Sequence, residues 1–166
     1  MSYPQSYQGI YNKLAIFIAS MAYSLLCHAT PLDHLDGVKN PDISLNGIWH
    51  FQLPAPEAFW KQQASPTGWK TMPVPGDVFR EGHKIQYDEP FAYKRKVLVP
   101  EDFSGHQIRL RFEGAHEYAR VWVNGTYITE HQGGWTPWEC DITEAVTPGQ
   151  EAQIAIELTD LEKDIA

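Results

Sequence analysis

Between Ala119 and Glu130 the chain carries the pattern that most restricts its fold. Ala119, Val121 and Val123 alternate with Arg120, Trp122 and Asn124, Asn124-Gly125 follows, and Thr126 to Glu130 leads away. Alternation at period two marks an extended strand with one buried face. Asn-Gly suits a tight primed turn, whose two central residues both take positive φ, so Thr126–Glu130 should pair back as a hairpin. The same period recurs along the chain. Leu45–Leu53 sets Trp49, Phe51 and Leu53 against His50 and Gln52; Phe91–Val99 puts Tyr93, Arg95, Val97 and Val99 on one face. Ile108, Leu110 and Phe112 alternate with Arg109 and Arg111, and Ile154, Ile156 and Leu158 end the series. Prolines and glycines separate these runs, and the proline-interrupted WKTMPVPGDV belongs at a sheet edge. Glu57–Gln63 is expected to form a short helix with Phe59 and Trp60 turned inward. No long amphipathic helix is present, so the fold is an all-β antiparallel sandwich. Lys94-Arg95-Lys96, alternating across its strand, reads as a solvated edge that discourages strand addition.

The segment His131–Thr143, HQGGWTPWECDIT, is a rigid loop leading into a capped stop. Gly133 and Gly134 offer positive-φ positions, and Pro137 holds Thr136 extended between Trp135 and Trp138. Asp141 and Glu144 have the spacing of a capping box, which predicts one helical turn over Thr143–Val146 before Pro148-Gly149.

A different composition marks the amino-terminal end. Lys13 precedes the uncharged apolar run Leu14–Leu26, and Cys27-His28-Ala29 supplies the run-up to a cut near Thr30. This is the pattern of a secretory signal peptide over residues 1–29, with a buried core helix as the alternative. The run is shorter than the roughly 20 residues that span a bilayer. Residues 30–44 then read as a polar leader and 45–166 as one domain, exported to the periplasm or the extracellular space, with no membrane attachment after cleavage. The net charge of −8 excludes a nucleic-acid surface, which needs clustered Lys and Arg. Removal of Cys27 would leave Cys140 alone between Glu139 and Asp141. Acidic neighbours disfavour a thiolate, so Cys140 reads as a small packed residue rather than a nucleophile.

Candidate chemistry follows from the same residues. Glycoside cleavage takes two carboxyl groups about 5–5.5 Å apart, or wider in inverting enzymes. Glu139 and Asp141 would share a side of an extended chain, as would Glu113 and Glu117 across a turn. Asp141 already caps, and the glutamates sit at strand ends where acids are solvated, so no catalytic residue is assigned. No histidine pair has metal-ligand spacing, and neither metal nor cofactor is expected. His131 is expected to hydrogen-bond the backbone of its loop. Asn124-Gly125-Thr126 matches a glycosylation sequon by composition. The carbohydrate-contact candidates are Trp135 and Trp138, whose indoles can stack on the C–H face of a sugar, with Asp88, Glu89 and Asp160 as hydroxyl acceptors. Against this stands packing for the two tryptophans and simple solvation for the three acids.

Five stretches occur in an order that resembles a known family: LNGIW, WKTMPVPGD, FAYKRKVLVP, IRLRFEGAHEYARVWVNG and HQGGWTPWECDIT. Together, over Leu45–Thr159, they are similar to the N-terminal sugar-binding domain of glycoside hydrolase family 2, which includes β-galactosidases, β-glucuronidases and β-mannosidases. The resemblance implies a jelly-roll, galactose-binding-like sandwich. It also implies an accessory role beside a catalytic (β/α)₈ barrel, in cis or in trans, that hydrolyses β-glycosides with two barrel glutamates. A barrel takes about 250 residues, and neither it nor the jelly roll's closing strand has a counterpart before Ala166. The expectation is therefore a chain that is non-catalytic by itself, with the last strand of its sandwich in question. A free-standing exported carbohydrate-binding module is the alternative.

Overall fold

The computed structural model describes residues 42–161. The expected signal peptide and nearly all of the leader lie outside them. The described chain forms eight strands: β1 Gly47–Gln52, β2 Lys70–Val74, β3 Phe91–Leu98, β4 Arg109–Phe112, β5 Tyr118–Val123, β6 Thr126–Gln132, β7 Trp138–Asp141 and β8 Glu151–Thr159. Six of them pair in the order β2-β1-β3-β8-β5-β6, β4 pairs with β7, and every pairing is antiparallel.

The sandwich is built as the alternation requires. Trp49, Phe51, Tyr93, Val121, Val123, Ile154 and Ile156 point from the larger sheet into a core that Ile108, Leu110, Cys140 and Ile142 close from the smaller one. Phe51 and Val121 are wholly buried, and burial of such a side chain stabilises the fold by about 1.5–3 kcal/mol. Arg109 and Arg111 face water on β4. The β5–β6 hairpin turns at Asn124 and Gly125, both at positive φ (51° and 84°). The proline-bearing β2 takes the sheet edge, where a missing N–H is tolerated.

Three expectations need correction, two of them for one reason. Residues 57–63 make successive turns instead of a helix, because Ala58 sits at φ 54°, which a right-handed helix does not accommodate. That turn segment lies over the outer face of the larger sheet. There Phe59 packs with Ala92, Trp122 and Ala155, and Trp60 stacks on Trp122 at 5.0 Å.

Lys94 is consequently buried, at 2% exposure, on an inner strand between β1 and β8. Its ammonium donates to the carbonyls of Phe59 (2.9 Å), Lys61 (3.1 Å) and Ala64. Burial, with the nearby charge of Lys96, lowers its pKa from the ordinary lysine range. The covered face also explains why Gln153 and Ala155 of β8 are as buried as the alternating isoleucines.

The third correction concerns the stop after β7. It is a single 3₁₀ turn, Thr143–Ala145, whose N-cap residue Ile142 has no side-chain cap. Asp141 instead accepts from the Thr143 backbone N–H (2.9 Å) and hydroxyl (2.6 Å), one residue earlier than a capping box would place it.

Candidate functional site

Four chain segments are tied together by backbone hydrogen bonds at one end of the larger sheet. The Glu117 N–H donates to Thr159 O (3.3 Å), the Gly133 N–H to Glu117 O (2.9 Å) and the Asp88 N–H to Asp160 O (2.8 Å). The entry to β5, the β6–β7 loop, the exit of β8 and the turn before β3 therefore share one rim. Three of the five candidate residues meet there. Asp160 places Oδ1 3.6 Å from His116 Nδ1, His116 meets Trp135 edge to face at 5.4 Å, and Asp88 is joined to Asp160 through its backbone. Trp135 is 86% exposed, the most exposed large apolar side chain among the described residues. Glu89 is half-buried next to Asp88, its N–H donating to Gln86 O at 3.2 Å.

Trp138 has a different environment. Its indole lies between Phe112 (4.1 Å, planes 10° apart) and His131 (4.5 Å, 17° apart), a three-ring stack that links β4, β6 and β7. His131 was expected to bond the loop backbone. It spends its ring face on Trp138, and its Nε2 is buried without a hydrogen-bond partner.

The carboxylate pairs divide among separate partners. Glu139 accepts from Arg111 (2.9 Å) and Arg109 (3.3 Å), which hold its carboxyl below the usual range. Hydrogen bonds from the Thr143 side chain and backbone, then from Gln107, bring Asp141 down to about 2. Near neutral pH both are anions, and neither can act as a proton donor to a leaving group. Glu113 pairs with Arg111 at 2.7 Å, whereas Glu117 turns to the rim. Burial, and secondarily Asp141, pushes the Cys140 thiol up to about 11, so the side chain is a packed thiol as its sequence context implied.

His116 was not singled out from the sequence, although a signal for it was present in the second glycine of the loop. Only Gly133 needs its conformation, with φ 134°; Gly134 serves close approach, because a Cβ there would lie 2.5 Å from the His116 ring. Donor atoms of His116, Glu117 and Asp160 all lie within 4.8 Å of one another. Two adjacent residues before β5 and a third just past the end of β8 have no recognisable spacing in sequence. A separate surface groove, lined by Phe103, Ile108, Ile128, Asp141, Ile142 and Pro148 among others, contains none of the carbohydrate-contact candidates.

Known proteins are similar to this chain in sequence and fold. The β-glucuronidase of Sus scrofa is 34% identical over 122 residues, 63% of this chain and 18% of that enzyme. A β-galactosidase of Thermoanaerobacter pseudethanolicus is 41% identical over 75 residues, 44% of this chain and 10% of that protein. Among solved structures, the β-glucuronidase from Ruminococcus gnavus in complex with D-glucuronic acid superposes with a TM-score of 0.62 at 28% identity, covering 71% of this chain and 22% of that one. The chain thus spans about a fifth of the length of its β-glucuronidase relatives. The family model described as "Glycosyl hydrolases family 2, sugar binding domain" matches residues 43–163, and the chain belongs to that family.

Proposed function

We propose that the chain is a non-catalytic accessory domain of a family 2 glycoside hydrolase, and that it meets a β-glycoside at the rim carrying Trp135. The observation that carries this reading is the match of nearly all the described residues to about a fifth of each β-glucuronidase, together with this chain's exposed Trp135 against His116, which in turn faces Asp160. An exposed indole gives a sugar ring a stacking face, and the carboxylate of Asp160 gives its hydroxyls an acceptor. Asp88 and Glu89 border the same rim. Trp138, held in its stack, supports the loop from beneath. Hydrolysis belongs to a barrel acting in cis or in trans, and the relatives point to a β-glucuronide as the substrate class. The apolar run over residues 14–26 supports export to the periplasm or beyond.

A free-standing carbohydrate-binding module is the second reading, favoured by the exposure of Trp135 in the chain by itself. Calorimetric titration of the purified chain with methyl β-glucuronide, β-galactoside and β-mannoside separates the two. Heat with one of them, lost in Trp135→Ala while the far-UV spectrum is unchanged, establishes binding by the chain alone. Silence with all three eliminates the module and leaves an accessory that needs its barrel.

A further inference from the structure

We propose that His116, Glu117 and Asp160 form a binding site for a first-row divalent cation of the zinc class. The inference stands on the geometry of these three residues and does not rest on sugar binding.

The donor atoms lie within 4.8 Å of one another, and His116 Nδ1 and Asp160 Oδ1 are 3.6 Å apart. In a tetrahedral zinc site with bonds near 2.1 Å, neighbouring donors are about 3.4 Å apart, so the histidine–aspartate pair is already at coordinating separation. Glu117 places a carboxylate oxygen within 4.8 Å of both other donors. One imidazole and two carboxylates bring two negative charges to the ion and mix a borderline nitrogen with hard oxygens, a donor set that suits zinc. Calcium, which takes 6–8 oxygen ligands, is poorly served. Three protein donors leave a fourth position for water or another oxygen ligand, the arrangement of non-structural zinc sites.

The surroundings fix the backbone that carries these donors. Glu117 and Asp160 follow from paired strands: Tyr118 is opposite Thr159 in the β5–β8 ladder, and the Glu117 N–H bonds Thr159 O at 3.3 Å. Asp160 O is fixed by Asp88 N–H at 2.8 Å, and Glu117 O by Gly133 N–H at 2.9 Å. The His116 ring sits against Gly134, where any Cβ would intrude, and against the edge of Trp135. An imidazole confined on two sides with Nδ1 turned to a carboxylate has lost much of the freedom that metal binding would otherwise have to remove.

Titration of the chelator-treated full chain with zinc chloride, followed by calorimetry and tryptophan fluorescence, tests the site. The expected result is one zinc per chain at micromolar affinity, a change in tryptophan emission and a rise in thermal midpoint with added zinc. His116→Ala and Asp160→Asn should each weaken binding more than about tenfold with unchanged far-UV spectra. Trp135→Phe should remove most of the emission change and leave the affinity intact. Absence of binding in the micromolar range overturns the proposal. So does binding that survives both His116→Ala and Asp160→Asn, since the ion would then sit elsewhere. Neither outcome bears on the sugar titrations.

Discussion

Asn124 shows how much one side chain at a turn can hold. Its amide donates to Ala145 O (2.8 Å) and its carbonyl oxygen accepts from the Gln153 N–H (2.9 Å), so the hairpin tip is tied to the 3₁₀ turn and to β8 together. Asn124→Ala should lower stability by about 2 kcal/mol in urea denaturation, since two hydrogen bonds are lost and a β-carbon without a polar group must hold φ 51°. The same two bonds occupy the amide that a glycan would need. Expression in a glycosylating host should leave Asn124 unmodified by peptide mass. Asp141 supplies a pH-dependent term. Its carboxyl is depressed in the fold to about 2 from an ordinary 3.8, so its contribution is full above about pH 4 and is lost as pH falls through 2. The urea midpoint should drop across that window, and Asp141→Asn should flatten the drop. At this scale the Asn-Gly turn was legible because the pair itself demands positive φ. His116 was not, because its partners come together only when β5 and β8 pair.

At the scale of elements, the segment between β1 and β2 decides how much of the larger sheet's outer face is buried. Phe59, Trp60 and Trp69 cover the outer face of the larger sheet, and the Lys94 ammonium gathers three of that segment's carbonyls beneath them. Lys94→Met keeps the stem and removes the donor. It should cost about 2–3 kcal/mol and increase protease cleavage within residues 57–64, because carbonyls left without a partner favour solvent over the fold. Strand identities were readable from period-two alternation, and so was the inner face. The outer face was not. The cover is an irregular turn segment with no periodicity, so its partner strand β3 was read by its charges as an edge when its hydrogen bonds make it interior.

Over the whole molecule, the position of the carboxylates separates scaffold from chemistry. On β7, Glu139 is held by two arginines and Asp141 by a threonine and a glutamine, while Trp135 projects from the loop that precedes the strand. Trp135→Ala should therefore leave stability within about 0.5 kcal/mol. Trp138→Ala, which empties the stack between Phe112 and His131, should cost about 3 kcal/mol or more. The two tryptophans were indistinguishable in sequence, because burial depends on which ring the neighbouring strands enclose. The proposal of a sugar-contacting accessory domain that does not hydrolyse by itself is tested most directly by release of nitrophenol from nitrophenyl β-glucuronide by the purified chain. The account predicts a rate equal to that of buffer alone; turnover by the chain that Glu139→Gln abolishes would contradict it.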